Sequence, residues 1–200
     1  MRKEYNHINE ARSFIVEKLS SDTLLGRNGF KMYESKYIID YKPQQAWAAE
    51  LLAQAIAGGE LAVSGVRVAE VNLYDLVLEH LDAEGLWEVL EERERDLDPA
   101  AMIETLQASA SVEQVIIPMI QEELEKAEVH DLVFITGVGE TFPYIRTHWV
   151  LDALTISKPV VLWFPGTYKK NSDGSSSLDI LDIRQGTGGG YYRATNLFDL

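Results

Sequence analysis

Two hundred residues suffice for one domain with a proper core, and 46% hydrophobic and 25% charged residues are ordinary for a globular protein in water. The absence of cysteine excludes disulfides, thiolate nucleophiles and zinc–thiolate sites, and no run approaches the roughly 18 apolar residues of a membrane span. A net charge of −14 argues against direct nucleic-acid binding, which draws on Lys and Arg to neutralise phosphates.

The charge is unevenly placed. Residues 79–128 hold 15 acidic against three basic side chains, a net of −12, while the other 150 residues hold 17 acidic and 15 basic, a net of −2. Such a block is a solvated helical face or a docking surface for a basic partner. The N-terminus lacks the apolar core of a signal peptide, so the expected location is the cytoplasm.

Ile8, Ala11, Ile15 and Leu19 recur near helical period and predict an N-terminal helix, broken at Gly26–Gly29. Tyr37–Tyr41 is short and β-branched, with Pro43 behind it, and predicts a strand. Trp47, Leu51, Leu52, Ala55 and Ile56 predict the buried face of a helix ended by Gly58–Gly59. A second strand is expected within Val66–Leu73, then an amphipathic helix over Leu76–Leu90 capped by Asn72 or Asp75.

The acidic helices follow. Pro99 suits a helix start, Ser111–Gln114 has the form of a capping box, and Pro118 should kink its helix or mark a later start. Leu132–Thr136 and Pro159–Phe164 read as strands buried on both sides, with a helix at Pro143–Leu154 between them. Asn171–Ser177 reads as a turn, Leu178–Ile183 as an edge strand and Gly186–Gly190 as a loop. Strands alternating with helices predict a single α/β domain with a mainly parallel, doubly wound sheet, the acidic helical segment lying within it at 79–128.

The stretch Asp131–Glu140 ends a strand in Thr136-Gly-Val-Gly139, the grammar of a crevice at a strand's carboxyl end. There is no Gly-x-x-x-x-Gly-Lys-Ser/Thr and no Gly-x-Gly-x-x-Gly.

Asp40–Pro43, Val71–Leu76, His130–His148, Phe164–Tyr168 and Tyr191–Ala194, in that order, resemble the BrxB family, small cytoplasmic components of BREX bacteriophage-exclusion systems. The resemblance runs from about residue 5 onward and is most specific from the Thr-Gly-Val-Gly segment through Arg146 and His148; the Gly188–Gly190 run departs from the family pattern. It implies a P-loop-NTPase-like sheet without its phosphate-binding lysine loop. It also implies an accessory or scaffold role rather than an enzyme. The expected partner is PglZ, an alkaline-phosphatase-superfamily protein encoded with the family, and other BREX components and self-association stay open.

Residue by residue, Gly137 and Gly139 supply either positive φ and close helix approach or an anion site at the following helix. Glu140 opposes an anion there; Arg146 would offset it, or pair with Asp131, Glu140 or Asp152. His148 is a lone histidine without a second ligand at metal spacing, so its reading is structural; a general-base role would need Thr136, Thr141 or Thr147 in reach. Asp40 is a helix cap or a catalytic or Mg²⁺ carboxylate. Candidate partner contacts are Glu88, Glu91, Glu92 and Glu94 in the acidic segment, with Tyr192 and Arg193 near the end. No cofactor or metal is expected. Two functions follow: a non-catalytic assembly subunit, or a degenerate nucleotide-binding or nucleotide-sensing protein using the Gly137–Gly139 turn and Arg146.

Overall fold

The computed structural model describes residues 2–28, 36–126, 129–170, 175–180 and 194–200, with the backbone alone of 183–190. A 3-10 turn at Ile8–Ala11 leads into α1 (Arg12–Leu19); β1 (Lys36–Tyr41) and α2 (Ala46–Ile56) follow. Next come β2 (Val68–Asn72), α3 (Leu73–Ala83), α4 (Trp87–Glu94), α5 (Pro99–Ser109) and α6 (Ile117–Lys126). After β3 (Leu132–Thr136) stand the short α7 (Val138–Thr141), α8 (Thr147–Ala153) and β4 (Val160–Pro165). The last elements are β5 (Thr167–Lys170), β6 (Ser176–Ile180), β7 (Ile183–Gly190) and β8 (Ala194–Asn196).

Five strands form one sheet in the order β2-β3-β4-β1-β8, with every pairing parallel. Parallel strands need both faces covered, which is why β3 and β4 are buried at every residue and, but for the terminal Thr136, apolar. Alternate side chains go to opposite faces. Ile39, Phe134 and Trp163 pack with α1 and α2 through Ile15, Leu52 and Ile56. Ile38, Ile135 and Leu162 pack on the other side against α3, α6 and α8 through Val77, Ile120 and Val150. The α/β reading with a mainly parallel sheet therefore holds. Strands β5, β6 and β7 make a separate antiparallel sheet.

Several expectations need correction. The buried face of α2 is Ala49, Leu52, Ala53 and Ile56, a regular i, i+3, i+4, i+7 set; Trp47, Leu51 and Ala55 point to solvent. Gly58–Gly59 does not stop the helix, because glycine weakens a helix without blocking it, and a π turn carries on through Ala57–Leu61 to bury Leu61. The Leu76–Leu90 helix is two, divided where Gly85 takes φ +63°. Ser111 makes no side-chain cap; its carbonyl accepts from the Val115 and Ile116 amides in a π turn that α6 follows.

The helix expected at Pro143–Leu154 is α7 and α8 instead, starting earlier and pausing at 142–146. Strand β6 lies between β5 and β7, so it is central rather than an edge. Gly186–Gly190 belongs to β7 and not to a loop: glycine amides and carbonyls enter a ladder like any others, at a cost in order. The acidic stretch is helical through most of its described residues, 79–126. No helix among the described residues is long and apolar enough to cross a membrane.

Candidate functional site

The carboxyl ends of β1 to β4 meet beside the start of α2 in a cleft of about 290 Å³, where parallel α/β sheets usually bind ligands. Its construction begins at Asn72, the last residue of β2. The Asn72 Oδ1 accepts from the Tyr74 and Asp75 amides at 2.9 and 3.3 Å and so caps α3. Beside it β3 ends at Thr136, whose Oγ1 donates to Glu70 Oε1 at 2.7 Å. Gly137 then turns the chain with φ +70° and begins α7.

Both glycines of the Thr-Gly-Val-Gly segment have a packing reason. A Cβ at Gly137 would strike the Asn72 side chain and stand 2.8 Å from the Tyr74 amide nitrogen; one at Gly139 would stand 3.2 Å from Pro165 Cγ. The helix that follows Gly137 has four residues, too short to gather the dipole that holds an anion.

The lining is acidic. Glu50 of α2, Asp75 of α3 and Glu140 of α7 stand around the cleft, Tyr41 and Tyr74 flank them, and Trp163 is almost wholly buried among them. Among the described residues no Lys, Arg or His lines it. Burial raises the Tyr41 phenol above its ordinary range, and the charges of Glu140 and Glu50 raise it further, so both carboxylates act on one hydroxyl. Among the described residues no ion pair engages Glu50, Asp75 or Glu140. The Trp163 indole Nε1 is buried and has no hydrogen-bond partner among the described residues.

Of the residues singled out from sequence, Gly137 and Glu140 line this cleft, whereas Gly139, Arg146 and His148 do not. Arg146 sits over the Trp149 ring, 5.4 Å from its centre, and makes no ion pair with Glu140 or Asp152. Asp131 pairs instead with Arg67 and Arg27 at 3.2 and 3.4 Å. Burial alone would raise its carboxyl; the bonds from both arginines outweigh that and hold it below the usual range.

His148 packs edge-on to Trp149, and burial lowers its pKa against the opposing pull of Asp152, with Arg146 lowering it further. The Thr136 hydroxyl is bonded to Glu70, and Thr141 donates to the Val138 carbonyl at 3.1 Å. Asp40 neither caps a helix nor faces a cleft alone: both its oxygens accept from Arg2 Nη2 at 2.7 and 2.6 Å, and Oδ2 accepts from the Tyr168 amide at 2.9 Å. Among the described residues no three His, Asp or Glu side chains converge as a metal site. Glu88, Glu91, Glu92 and Glu94 are exposed on α4, while Tyr192 and Arg193 lie outside the described residues.

Sequence reasoning missed a surface beside the cleft. Trp47 is 75% exposed and Leu51 45%, one turn apart on α2, with Ala55 a turn beyond. The signal was present: α2 reads AWAAELLAQAI, apolar nearly all round, and such a helix needs a second surface to cover it.

The family model described as BREX protein BrxB matches residues 69–197. A BREX protein BrxB from Bacillus cereus (strain H3081.97) is 26% identical over 195 residues, covering 96% of this chain and 98% of that one. One of the same name from Escherichia coli O9:H4 (strain HS) is 24% identical over 189 residues, covering 92% and 88%. No solved structure matches. A model that spans well over half of the chain, with its Thr-Gly-Val-Gly turn included, makes this protein a member of the BrxB family.

Proposed function

We propose that this protein is a non-catalytic assembly subunit of a BREX phage-defence complex, acting in the cytoplasm as one α/β domain, and that it binds the PglZ-type, alkaline-phosphatase-superfamily component. The role in phage defence comes with membership of the family. The observation that carries the assembly reading is the bare Trp47–Leu51–Ala55 stripe on α2. A tryptophan three-quarters exposed next to a half-exposed leucine has the chemistry of an interface anchor, because burying it against a partner removes a large apolar area from water. The i, i+4, i+8 spacing suits a helix or a groove laid along α2.

The parallel sheet is compatible with a P-loop-type fold that has lost its phosphate loop. The nucleotide reading draws less support from the same geometry, since a triphosphate entering the cleft would meet Glu50, Asp75 and Glu140 and, among the described residues, no cation. Co-expression with the PglZ-type protein, followed by size-exclusion chromatography with light scattering, tests the assembly reading. A complex of defined mass that Trp47→Asp disrupts supports it; two independent peaks with the wild-type pair overturn it.

A further inference from the structure

Tyr41 lines two clefts. One is the acidic recess at the Gly137 turn; the other, of about 690 Å³, lies between the N-terminal arm and the carboxyl ends of β1 and β4. The chain diverges at this second cleft. Leaving β1 it enters α2 on one face of the main sheet; leaving β4 it enters the small sheet, whose Tyr168, Leu178 and Ile180 pack with the core of the other face. Such a divergence between neighbouring strands is where open α/β sheets bind ligands.

The arm that walls the cleft is held at several points. The Lys3 amide donates to the Phe198 carbonyl at 3.0 Å, and Arg2 binds Asp40 and the Tyr168 carbonyl. Further along, Gln45 accepts from the Ile8 amide at 2.8 Å and donates to the Asn6 carbonyl at 2.9 Å. The wall is thus fixed before any ligand arrives, and the room beside it is within the range of small-molecule sites.

The lining reverses the charge of the chain. Among the described residues it holds four cations, Arg2, Lys3, Lys42 and Lys169, against two carboxylates, Glu4 and Asp40, a net of +2 in a protein of −14. Arg2 and the buried Asp40 neutralise each other, which leaves three lysines to one glutamate. Lys42 makes no ion pair among the described residues. Lys3 lies over the Phe14 ring, a contact that keeps its charge, and Lys169 meets Asp179 only at 3.6 Å in an exposed pair worth little. Like charges drawn into one cleft repel one another, and a bound anion relieves that repulsion.

We propose that this cleft binds a small phosphate ester, its phosphate oxygens accepting from Lys3, Lys42 and Lys169 and a ring of the ligand lying against Tyr5 or Tyr41. A phosphate offers three oxygens to three ammonium groups, whereas a carboxylate offers two. The half-buried rings of Tyr5 and Tyr41, and a volume well above what phosphate alone fills, suit a flat group beyond it. The site uses none of Trp47, Leu51 and Ala55, so it stands or falls apart from the assembly reading.

Calorimetry on the full chain with AMP, adenosine and inorganic pyrophosphate tests it. AMP should bind, pyrophosphate should compete with it, adenosine should bind at least about tenfold more weakly, and added salt should weaken AMP. Lys42→Gln with Lys169→Gln should raise the Kd for AMP by about tenfold or more. Both lysines are exposed, so the denaturant midpoint of that variant should stay near wild type. Arg146→Ala should leave the AMP affinity unchanged.

The proposal is overturned if AMP and pyrophosphate both fail to bind at millimolar concentration, or if adenosine binds as tightly as AMP. It is equally overturned if the lysine variant binds AMP as wild type does. Loss of binding in Arg146→Ala alone would move the nucleotide to the neighbourhood of the Thr-Gly-Val-Gly turn. Should the lysine variant fail to fold, the comparison of AMP with adenosine on wild type still decides.

Discussion

Gly137 and Asn72 occupy adjoining space so closely that a single added methyl on one would overlap the side chain of the other. The contact joins the end of β3 to the cap of α3, and it sits on a residue at φ +70°. Gly137→Ala should therefore cost about 2–4 kcal/mol, from left-handed strain plus the displaced cap. Asn72→Ala should cost about 1 kcal/mol, the ordinary loss of a cap. The double variant should be less destabilised than the two losses added, since removing Asn72 relieves the overlap, and urea unfolding of the four proteins measures that coupling.

Arg2 fastens the N-terminal arm to Asp40, whose side chain is 2% exposed. Arg2→Ala should cost about 2–4 kcal/mol because it strands a buried carboxylate; the figure is held below that of a fully buried pair by the 33% exposure of the arginine. Asp40→Asn should be milder, since its amide oxygen can still accept from the Tyr168 amide. Denaturant midpoints at neutral pH check both.

His148 gives a pH dependence with a definite sign. Burial depresses its folded-state pKa below the ordinary 6.5, so the folded protein resists protonation more than the unfolded chain does. Its contribution is unpenalised above 6.5 and turns unfavourable as pH falls from there through the depressed folded value. The stability of wild type should decline over that window more steeply than that of His148→Gln. A parallel decline in the two would assign the effect to other groups.

The exposed face of α2 is separable from the fold. Trp47→Ala and Leu51→Ala remove side chains the core does not use, so each should leave unfolding within about 0.5 kcal/mol of wild type. Each should weaken the complex by at least about tenfold, the mark of an anchor residue. Calorimetry on the isolated protein and surface plasmon resonance on the pair separate the two effects.

On α4 only Leu90 is buried, so replacing Glu88, Glu91, Glu92 and Glu94 with lysine should leave the fold intact. Association at low salt should slow several-fold, and the difference should vanish at high salt, as long-range steering requires. An unchanged on-rate at low salt would remove α4 from the encounter.

The elements legible in the sequence were those with one dominant local signal. The apolar runs of β3 and β4, Pro99 at the start of α5, and Asn72 ahead of α3 all stand where residue chemistry placed them. The errors came where two local signals competed and the tertiary structure chose. Residues 46–56 carry two apolar faces, and nothing within the helix says that the sheet takes Ala49, Leu52, Ala53 and Ile56.

The same holds for the glycines at 186–190, which a neighbouring strand recruits. Of the site, the Thr-Gly-Val-Gly turn was readable. Its companions Tyr41, Glu50 and Trp163 were not, because they arrive from distant sequence through the strand order β2-β3-β4-β1.

That order also dictates when the protein can finish folding. Strand β1 is complete by Tyr41, yet its two neighbours are β4, from Val160 to Pro165, and β8, from Ala194 to Asn196. During vectorial synthesis the emerging Tyr37-Ile-Ile segment has no strand to pair with until more than a hundred further residues have left the ribosome. A nascent chain halted before β4 holds bare strand edges and an uncovered α2 together, which makes it the form of this protein most in need of a chaperone.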